Sequence, residues 1–311
     1  MEWDPTQFFR DGVRLSVPFA LLVLNQPINE RAFAALKKHA CFTVCADGGA
    51  NRYYDLMKSQ DKETSDLPNV IIGDLDSILP SVRKHYDSLG VEIIHDPDQY
   101  STDFTKCLKY LRANSSSILR SAATNPDSLL PETALKTDPQ SSPRLDVLIL
   151  GGLGGRVDQA FSQIHHLYTM SRHSGNEDSP GELYLVSEES ISFVLRKGRN
   201  VIKTPGTRRP LSSSSDSAHT STSNSDLTNT QSYPISDTGD VYYLEENIGI
   251  LPASGPAVIS TNGLEWDVSD WRTEMGGQMS TSNHIRADVV TIESNEQVLF
   301  TAELAERFKA K

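Results

Sequence analysis

Three cysteines in 311 residues, Cys41, Cys45 and Cys107, are too few and too scattered for a disulfide framework. Cys41 and Cys45 lie four apart on a candidate strand and so share a face, which reads as buried reduced thiols rather than a metal pair. Long apolar runs are missing too. The longest near the start, residues 17–24, is too short to cross a bilayer, so no membrane partner is expected. Asp11 and Arg14 precede it and no small-residue cleavage site follows, so a secretory signal is not expected and the cytoplasm is the expected compartment. Positive charge is scarce: 29 Lys and Arg stand against 41 Asp and Glu, for a net charge of −12. A nucleic-acid backbone needs a basic face, so nucleic acid is not an expected partner. The eight histidines show no metal-ligand spacing.

What is present is a rhythm of short apolar runs. Residues 19–24, 42–46, 69–73, 91–95 and 145–150 each end in a polar or Gly-rich turn, as strands buried on both faces do. Helical patterns lie between them. Ala32, Phe33, Leu36 and Ala40 mark one apolar face, Phe104, Cys107, Leu108 and Leu111 a second, and Val157, Phe161, Ile164, Leu167 and Tyr168 a third. The alternation predicts an α/β part, a mostly parallel sheet with flanking helices, over residues 1–180. Residues 181–311 change character. Strand-like runs at 182–187, 190–195, 240–244, 256–260, 288–293 and 297–302 are separated by Gly, Asn, Asp and Ser turns, which predicts an all-β sandwich. Two stretches rich in Ser, Thr, Pro and Asn, about 113–144 and 210–238, read as disordered insertions because they cannot bury enough surface to offset their ordering entropy.

Aspartates gather where the strands end. Gly73 leads into Asp74-Leu75-Asp76-Ser77, Ala46 into Asp47-Gly48-Gly49-Ala50-Asn51, and His95 into Asp96, Asp98 and then Thr102-Asp103. In open α/β sheets ligands bind beyond the carboxyl ends of the strands. Carboxylates crowded there repel one another unless a cation neutralises them. The hard cation that needs few carboxylates and leaves room for phosphate is Mg²⁺. Asp47, Asp74, Asp76 and Asp103 are therefore the candidate metal ligands, and the chain reads as a metal-dependent enzyme acting on phosphates.

Other motifs leave alternatives open. Gly48 and Gly49 serve either a phosphate approached by backbone N–H groups or a tight strand-to-helix turn. Lys106 faces phosphate or solvent. The Gly151-Gly152-Leu153-Gly154-Gly155-Arg156 turn is not a P-loop, since no Gly-Lys-Ser/Thr follows, yet it suits phosphate through its N–H groups with Arg156 as anchor. Trp266, among small polar residues, either stacks on a flat cationic heterocycle or fills the sandwich core.

Taken together and in order, these segments resemble thiamine pyrophosphokinases. The matching stretches run from Asp47 to Asn51, Gly73 to Ser77, Asp98-Gln99 with Thr102 to Lys106, Gly151 to Asp158, Gly249 to Pro252, Gly263 to Trp266 and Ser280 to Asn283. They span the chain apart from its first ten residues and the two insertions. The resemblance implies an α/β catalytic part, a β-sandwich that binds thiamine, and a homodimer with sites between subunits. It implies Mg²⁺-dependent transfer of diphosphate from ATP to thiamine, leaving AMP. Asp74, Asp76, Asp103 and Arg156 would then be catalytic. Asn51, Lys106, Gly151, Gly152, Gly154 and Gly155 would hold ATP, and Gln99, Asp158, Ser260, Trp266, Ser280, Ser282 and Asn283 would hold thiamine. Two competing readings remain at this point: a haloacid-dehalogenase-like phosphatase with Asp74 as nucleophile, and a non-catalytic thiamine or nucleotide sensor.

Overall fold

The computed structural model describes residues 1–12, 15–123, 144–172, 181–209 and 242–310. In chain order its elements are β1 (Glu2–Trp3), β2 (Phe19–Val23), α1 (Glu30–Lys37), β3 (Phe42–Ala46), α2 (Gly49–Ser59), β4 (Val70–Gly73), α3 (Pro80–Ser88), β5 (Glu92–His95), α4 (Asp103–Ala123), β6 (Asp146–Leu150) and α5 (Val157–Arg172). There follow β7 (Leu183–Val186), β8 (Ser190–Leu195), β9 (Gly198–Lys203), β10 (Leu244–Leu251), β11 (Ala257–Asn262), β12 (Trp271–Thr273), β13 (Ser280–His284), β14 (Val289–Ser294) and β15 (Val298–Leu304).

Ten strands form one sheet in the order β13-β10-β15-β8-β7-β6-β2-β3-β4-β5. From β7 to β5 the pairing is parallel, and from β7 to β13 it is antiparallel. The expected separation of an α/β part from a β part near residue 180 therefore does not break the sheet, because β6 pairs directly with β7. A second sheet, β1-β9-β14-β11-β12, covers the antiparallel half to make the sandwich.

Strand periodicity decides which face each apolar residue serves. Leu21, Val23, Cys45 and Ile71 share a core with Phe33, Tyr53 and Met57, and that core continues through Phe193 and Phe300 to Ile202, Ile259 and Ile292 of the smaller sheet. The alternate residues Ala20, Leu22, Val44 and Ile72 pack with Phe104, Cys107, Leu111 and Leu167 beneath α4 and α5. The cysteines are free; Cys45 and Cys107 are fully buried, and burial pushes the half-buried Cys41 thiol up to about 12.

Three expectations change. Residues 113–123 are not the start of an insertion but the second half of α4, where Ser115, Ile118 and Leu119 are buried. The apolar spacing of Leu111 carries on through Ile118, and that outweighs the Ser-rich composition. Residues 124–143 and 210–241, which hold most of both expected insertions, lie outside the described residues, as does the start of the strand expected at 240–244. On α5, Val157 and Phe161 are not part of the buried face; they are exposed, and Leu167 and Tyr168 carry the packing. The first ten residues also belong to the core. Trp3 stacks on Phe193 at 4.8 Å and donates its indole N–H to Asn200, while β1 pairs with β9.

Asp146, the polar break in an apolar run, opens β6 at the edge opposite the aspartate-rich loops. It accepts the Glu182 N–H at 2.8 Å and is 2% exposed. Burial pushes its carboxyl up to about 7, and the nearby Glu182 charge adds to the rise. Burial raises Glu182 as well, against the pull of Arg196 and Arg144. A raised folded pKa means that the native state holds protons which the unfolded chain has already released. Stability from these groups is therefore full near pH 4 and is lost as pH rises toward 7. Asp146→Asn keeps the acceptor and removes the ionisation. Its melting temperature should match the parent near pH 4 and exceed it by several degrees at pH 8, which thermal scans across that range would check.

Candidate active site: a carboxylate cluster at the carboxyl edge of the sheet

Asp47, Asp74 and Asp103 each offer a carboxylate oxygen within 4.8 Å of the other two. They come from the ends of β3 and β4 and the first turn of α4. Gly73 makes the approach possible, since a Cβ there would lie 2.6 Å from the Asp47 Cβ and 3.1 Å from an Asp103 oxygen.

Asp47 is buried, with φ +39°. Its two oxygens accept the N–H groups of Ser77 at 3.0 Å and Ile78 at 2.9 Å. Burial raises its pKa, those two N–H groups pull it back, and the charges of Asp103 and Asp74 push it up again. Asp47 thus closes the turn that carries Asp74. Leu75, between Asp74 and Asp76, sits at φ +62°, a left-handed conformation that a bulky residue rarely adopts. Burial opposes ionisation of Asp74, but the Asp76 N–H, the Gln99 amide and the Lys106 charge together hold its carboxyl below the ordinary value. The Gln99 amide donates to Asp74 at 3.2 Å, which puts it beside the cluster. Lys106 is buried and pairs with Asp103 at 3.0 Å, so it faces the cluster rather than solvent. Burial opposes its charge, yet Asp103, Asp74 and Asp96 keep its pKa above the ordinary value.

A cleft of about 270 Å³ is lined by Asp74, Gln99 and Asp103 together with Gly151 and Gly152. Gly151 has φ +68°, and a Cβ there would strike the carbonyl oxygens of Gln26 and Leu24 at 2.7 and 2.8 Å. The Gly-rich turn therefore lies against the end of β2. The backbone N–H groups of Gly154 and Gly155 donate to no acceptor among the described residues.

Other expected residues stand elsewhere. Asp76 lies outside the trio, is exposed, and accepts the Ser77 hydroxyl at 2.8 Å. Asn51 donates to the Ser77 carbonyl and accepts the Leu79 N–H, both at 2.9 Å, so it clamps the turn rather than facing the cleft. Arg156 and Asp158 are exposed and paired with each other at 2.6 Å. Ser260 accepts the Asp270 N–H at 2.9 Å. Ser280 begins β13, and Ser282, at φ +55°, lines a second cavity. Trp266 is 54% exposed, which excludes the core reading, and it leans on His284 at 5.0 Å between ring centroids. The buried Asn283 holds it there by accepting the Trp266 N–H and donating to the Trp266 carbonyl. Trp266 does not line the carboxylate cleft. Sequence reasoning missed the clamping role of Asn51, which depends on a partner 26 residues away that no local spacing reveals.

A parallel sheet with carboxylates and a Gly-rich turn at its carboxyl edge, continued into a β-sandwich, defines a two-part α/β protein with its candidate site at the carboxyl edge of the strands. Residues 33–177 match the model of the thiamin pyrophosphokinase catalytic domain, and residues 235–299 match that of the thiamin pyrophosphokinase vitamin B1 binding domain. The chain is 30% identical to thiamine pyrophosphokinase of Saccharomyces cerevisiae, with 91% of this chain and 85% of that protein covered. It is 29% identical to thiamine pyrophosphokinase 1 of Arabidopsis thaliana, covering 94% and 88%. The structure of thiamin pyrophosphokinase from Candida albicans superposes with a TM-score of 0.70 at 27% identity, covering 98% of this chain and 93% of that one. The chain belongs to the thiamine pyrophosphokinase family. Neither the phosphatase nor the sensor reading finds support in these likenesses.

The clamp assigned to Asn51 is testable. Asn51→Ala removes two hydrogen bonds, each worth about 0.5–1.5 kcal/mol net. The melting temperature should fall by a few degrees and turnover should drop at saturating substrates. Lost ATP affinity with an unchanged melting temperature would return Asn51 to phosphate contact.

Proposed function

We propose that the protein transfers a diphosphate group from ATP to the hydroxyl of thiamine, giving thiamine diphosphate and AMP. The observation that carries this reading is the trio Asp47, Asp74 and Asp103, of which Asp74 and Asp103 line the same cleft as Gly151 and Gly152. The donor set is all oxygen, carboxylate-rich and small, and it fits Mg²⁺. Asp74 and Asp103 would hold the ion, with Asp47 contributing lone pairs left over from its two N–H partners. When bound, Mg²⁺ supplies charge neutralisation for the triphosphate.

The remaining work falls to this chain's side chains. Lys106, held by Asp103, places a fixed positive charge beside the phosphates. Gly154 and Gly155 offer N–H groups to phosphate oxygens. Gln99 orients Asp74 and borders the place where the acceptor hydroxyl must arrive. A bond forms from that hydroxyl oxygen to the β-phosphorus, the bond from β-phosphorus to the α,β-bridging oxygen breaks, and AMP leaves as the hydroxyl proton is released. Arg156 joins a phosphate only by leaving Asp158, and an exposed pair of this kind is held by little energy. Catalysis is positioning and electrostatics.

Trp266, presented by Asn283, is the stacking surface for the thiamine rings. Among the described residues, Trp266 lines neither the carboxylate cleft that holds Gln99 and Asp74 nor the second cavity. We therefore infer that a homodimer joins the sandwich of one subunit to the carboxylate cleft of its partner. No helix among the described residues is long and apolar enough to cross a membrane. Free thiols and the need for ATP accord with a cytoplasmic enzyme.

Incubation with ATP, Mg²⁺ and thiamine should release AMP and thiamine diphosphate in equal amounts; ADP release would contradict the reading. Asp74→Asn should lower kcat by about 10²–10⁴-fold, the rate equivalent of several kcal/mol of charge stabilisation, while the fold survives. Near-normal turnover at saturating Mg²⁺ would remove Asp74 from the metal site. Trp266→Ala should raise the thiamine KM about tenfold and leave the ATP KM and melting temperature nearly unchanged, because the lost cation–π contact is worth about 0.5–2 kcal/mol and no core packing goes with it. A thiamine KM equal to the parent's would remove Trp266 from the thiamine seat.

A further inference from the structure

Asp103 and Lys106 both stand on the first turn of α4, so the cluster depends on how that turn is held. Thr102 holds it from the front. Its carbonyl accepts the Lys106 N–H at 3.0 Å, and its hydroxyl accepts the Thr105 N–H at 3.2 Å, which satisfies one of the helix's unpaired first-turn donors. Behind that turn, α4 packs on β3 and β4.

A further support comes from another helix. His166 lies on α5, which rises directly from the Gly-rich turn and packs on β7 and β8. The half-buried His166 places its Nε2 3.4 Å from the Thr102 hydroxyl, and its ring rests on Phe104 with 4.8 Å between centroids. Thr102 and Phe104 are the two neighbours of Asp103 in the chain. His166 thus grips the backbone on both sides of a candidate metal ligand.

The hydrogen-bond accounting closes around the Thr102 oxygen. A hydroxyl has one proton to give and two lone pairs. One lone pair takes the Thr105 N–H, and the Thr105 hydroxyl lies 3.0 Å away. All these contacts are satisfied together when Thr105 donates its O–H to Thr102 and Thr102 donates its own to His166 Nε2. That pattern needs a neutral imidazole with its proton on Nδ1. Burial, with the neighbouring His165, holds the His166 pKa below the ordinary histidine value and so favours the neutral ring. His165 faces elsewhere, with its Nε2 3.3 Å from the Thr169 hydroxyl.

We propose that His166 is a positioning residue for diphosphate transfer: it accepts a hydrogen bond from the Thr102 hydroxyl, packs on Phe104, and so fixes the turn that aims Asp103 at the carboxylate cluster and Lys106 at Asp103. The inference rests on the diphosphate-transfer reading above. One side chain thereby links the helix that begins at the Gly-rich turn to the helix that begins at Asp103.

The test uses variants of the full chain. His166→Leu keeps an apolar side chain against Phe104 and removes the acceptor. His166→Gln keeps an amide that can meet the Thr102 hydroxyl, and Thr102→Val removes that hydroxyl. The half-saturating Mg²⁺ concentration is read from the rise in melting temperature with a non-hydrolysable ATP analogue present; kcat and the thiamine KM are read from AMP release. His166→Leu should raise the half-saturating Mg²⁺ and lower kcat by about 10–100-fold each, the range for groups that orient metal ligands, with the thiamine KM unchanged. His166→Gln should bring both back to within about threefold of the parent, because the hydrogen bond is restored. Adding His166→Leu to Thr102→Val should cost nothing further, since both break the same contact.

A Leu variant with the parent's kcat and Mg²⁺ response would overturn the proposal. So would one that only melts lower without Mg²⁺ while both readouts stay parental, the mark of packing alone. Equal losses in the Leu and Gln variants, or losses that add in the double variant, would remove the hydrogen bond to Thr102 from the account. A parent that answers Mg²⁺ but releases no AMP would defeat the diphosphate-transfer reading instead, and the Mg²⁺ response of the Leu variant would still decide the role of His166.

Discussion

The buried carboxylate of Asp47, accepting the N–H groups of Ser77 and Ile78, is the interaction on which the site depends. A buried charge without partners is costly, and two backbone donors offset much of that cost. What they leave is a carboxylate pressed against Asp74 and Asp103, in a chain held at positive φ at both Asp47 and Leu75. Strain and repulsion of this kind persist only where the surroundings over-determine them. Here Asn51 clamps the same turn from its other side, and Gly73 removes the side chain that would keep the acids apart. The result is a set of three carboxylates within 4.8 Å of one another, the arrangement we propose holds a cation.

The sheet explains why the site sits where it does. Because β6 pairs with both β2 and β7, the loop after β6 stands between the parallel strands that carry the acids and the antiparallel strands that enter the sandwich. Asn29 strengthens that junction. It caps α1 through Ala32 and its amide donates to the carbonyls of Ser187, Glu188 and Phe308, tying the loop after β2 to the turn after β7 and to the C-terminal segment. These hydrogen bonds oppose motion of the loop after β2 relative to the turn after β7 and the C-terminal segment.

Much of this was legible in the sequence because carboxylates at strand ends need no tertiary information to be noticed. Asp74 and Asp103 came together as their positions predicted, and the parallel half of the sheet followed from its apolar runs. Asp76 did not join them, because the left-handed Leu75 lies between it and Asp74, and local spacing does not encode that conformation. Asn51 was placed near phosphate although its partners are backbone groups of residues 77 and 79, a tertiary match without a local signal. Trp266 was ambiguous between core and surface until its exposure decided the matter. The second half of α4 was hidden by serines that sit on a helix already nucleated by a strong apolar face. The cavity of about 520 Å³ was invisible, since it is assembled from five separate stretches of chain.

The central claim is that Asp47, Asp74 and Asp103 form a divalent-cation site. The most direct measurement is the melting temperature against Mg²⁺ concentration, with a non-hydrolysable ATP analogue present, for the parent and for an Asp74→Asn, Asp103→Asn double variant. A ligand that binds only the folded state raises stability by RT ln(1 + [L]/Kd). The account predicts that the parent's melting temperature climbs steadily with Mg²⁺ while that of the double variant stays flat. A parent that ignores Mg²⁺, or a double variant that climbs just as steeply, would contradict it.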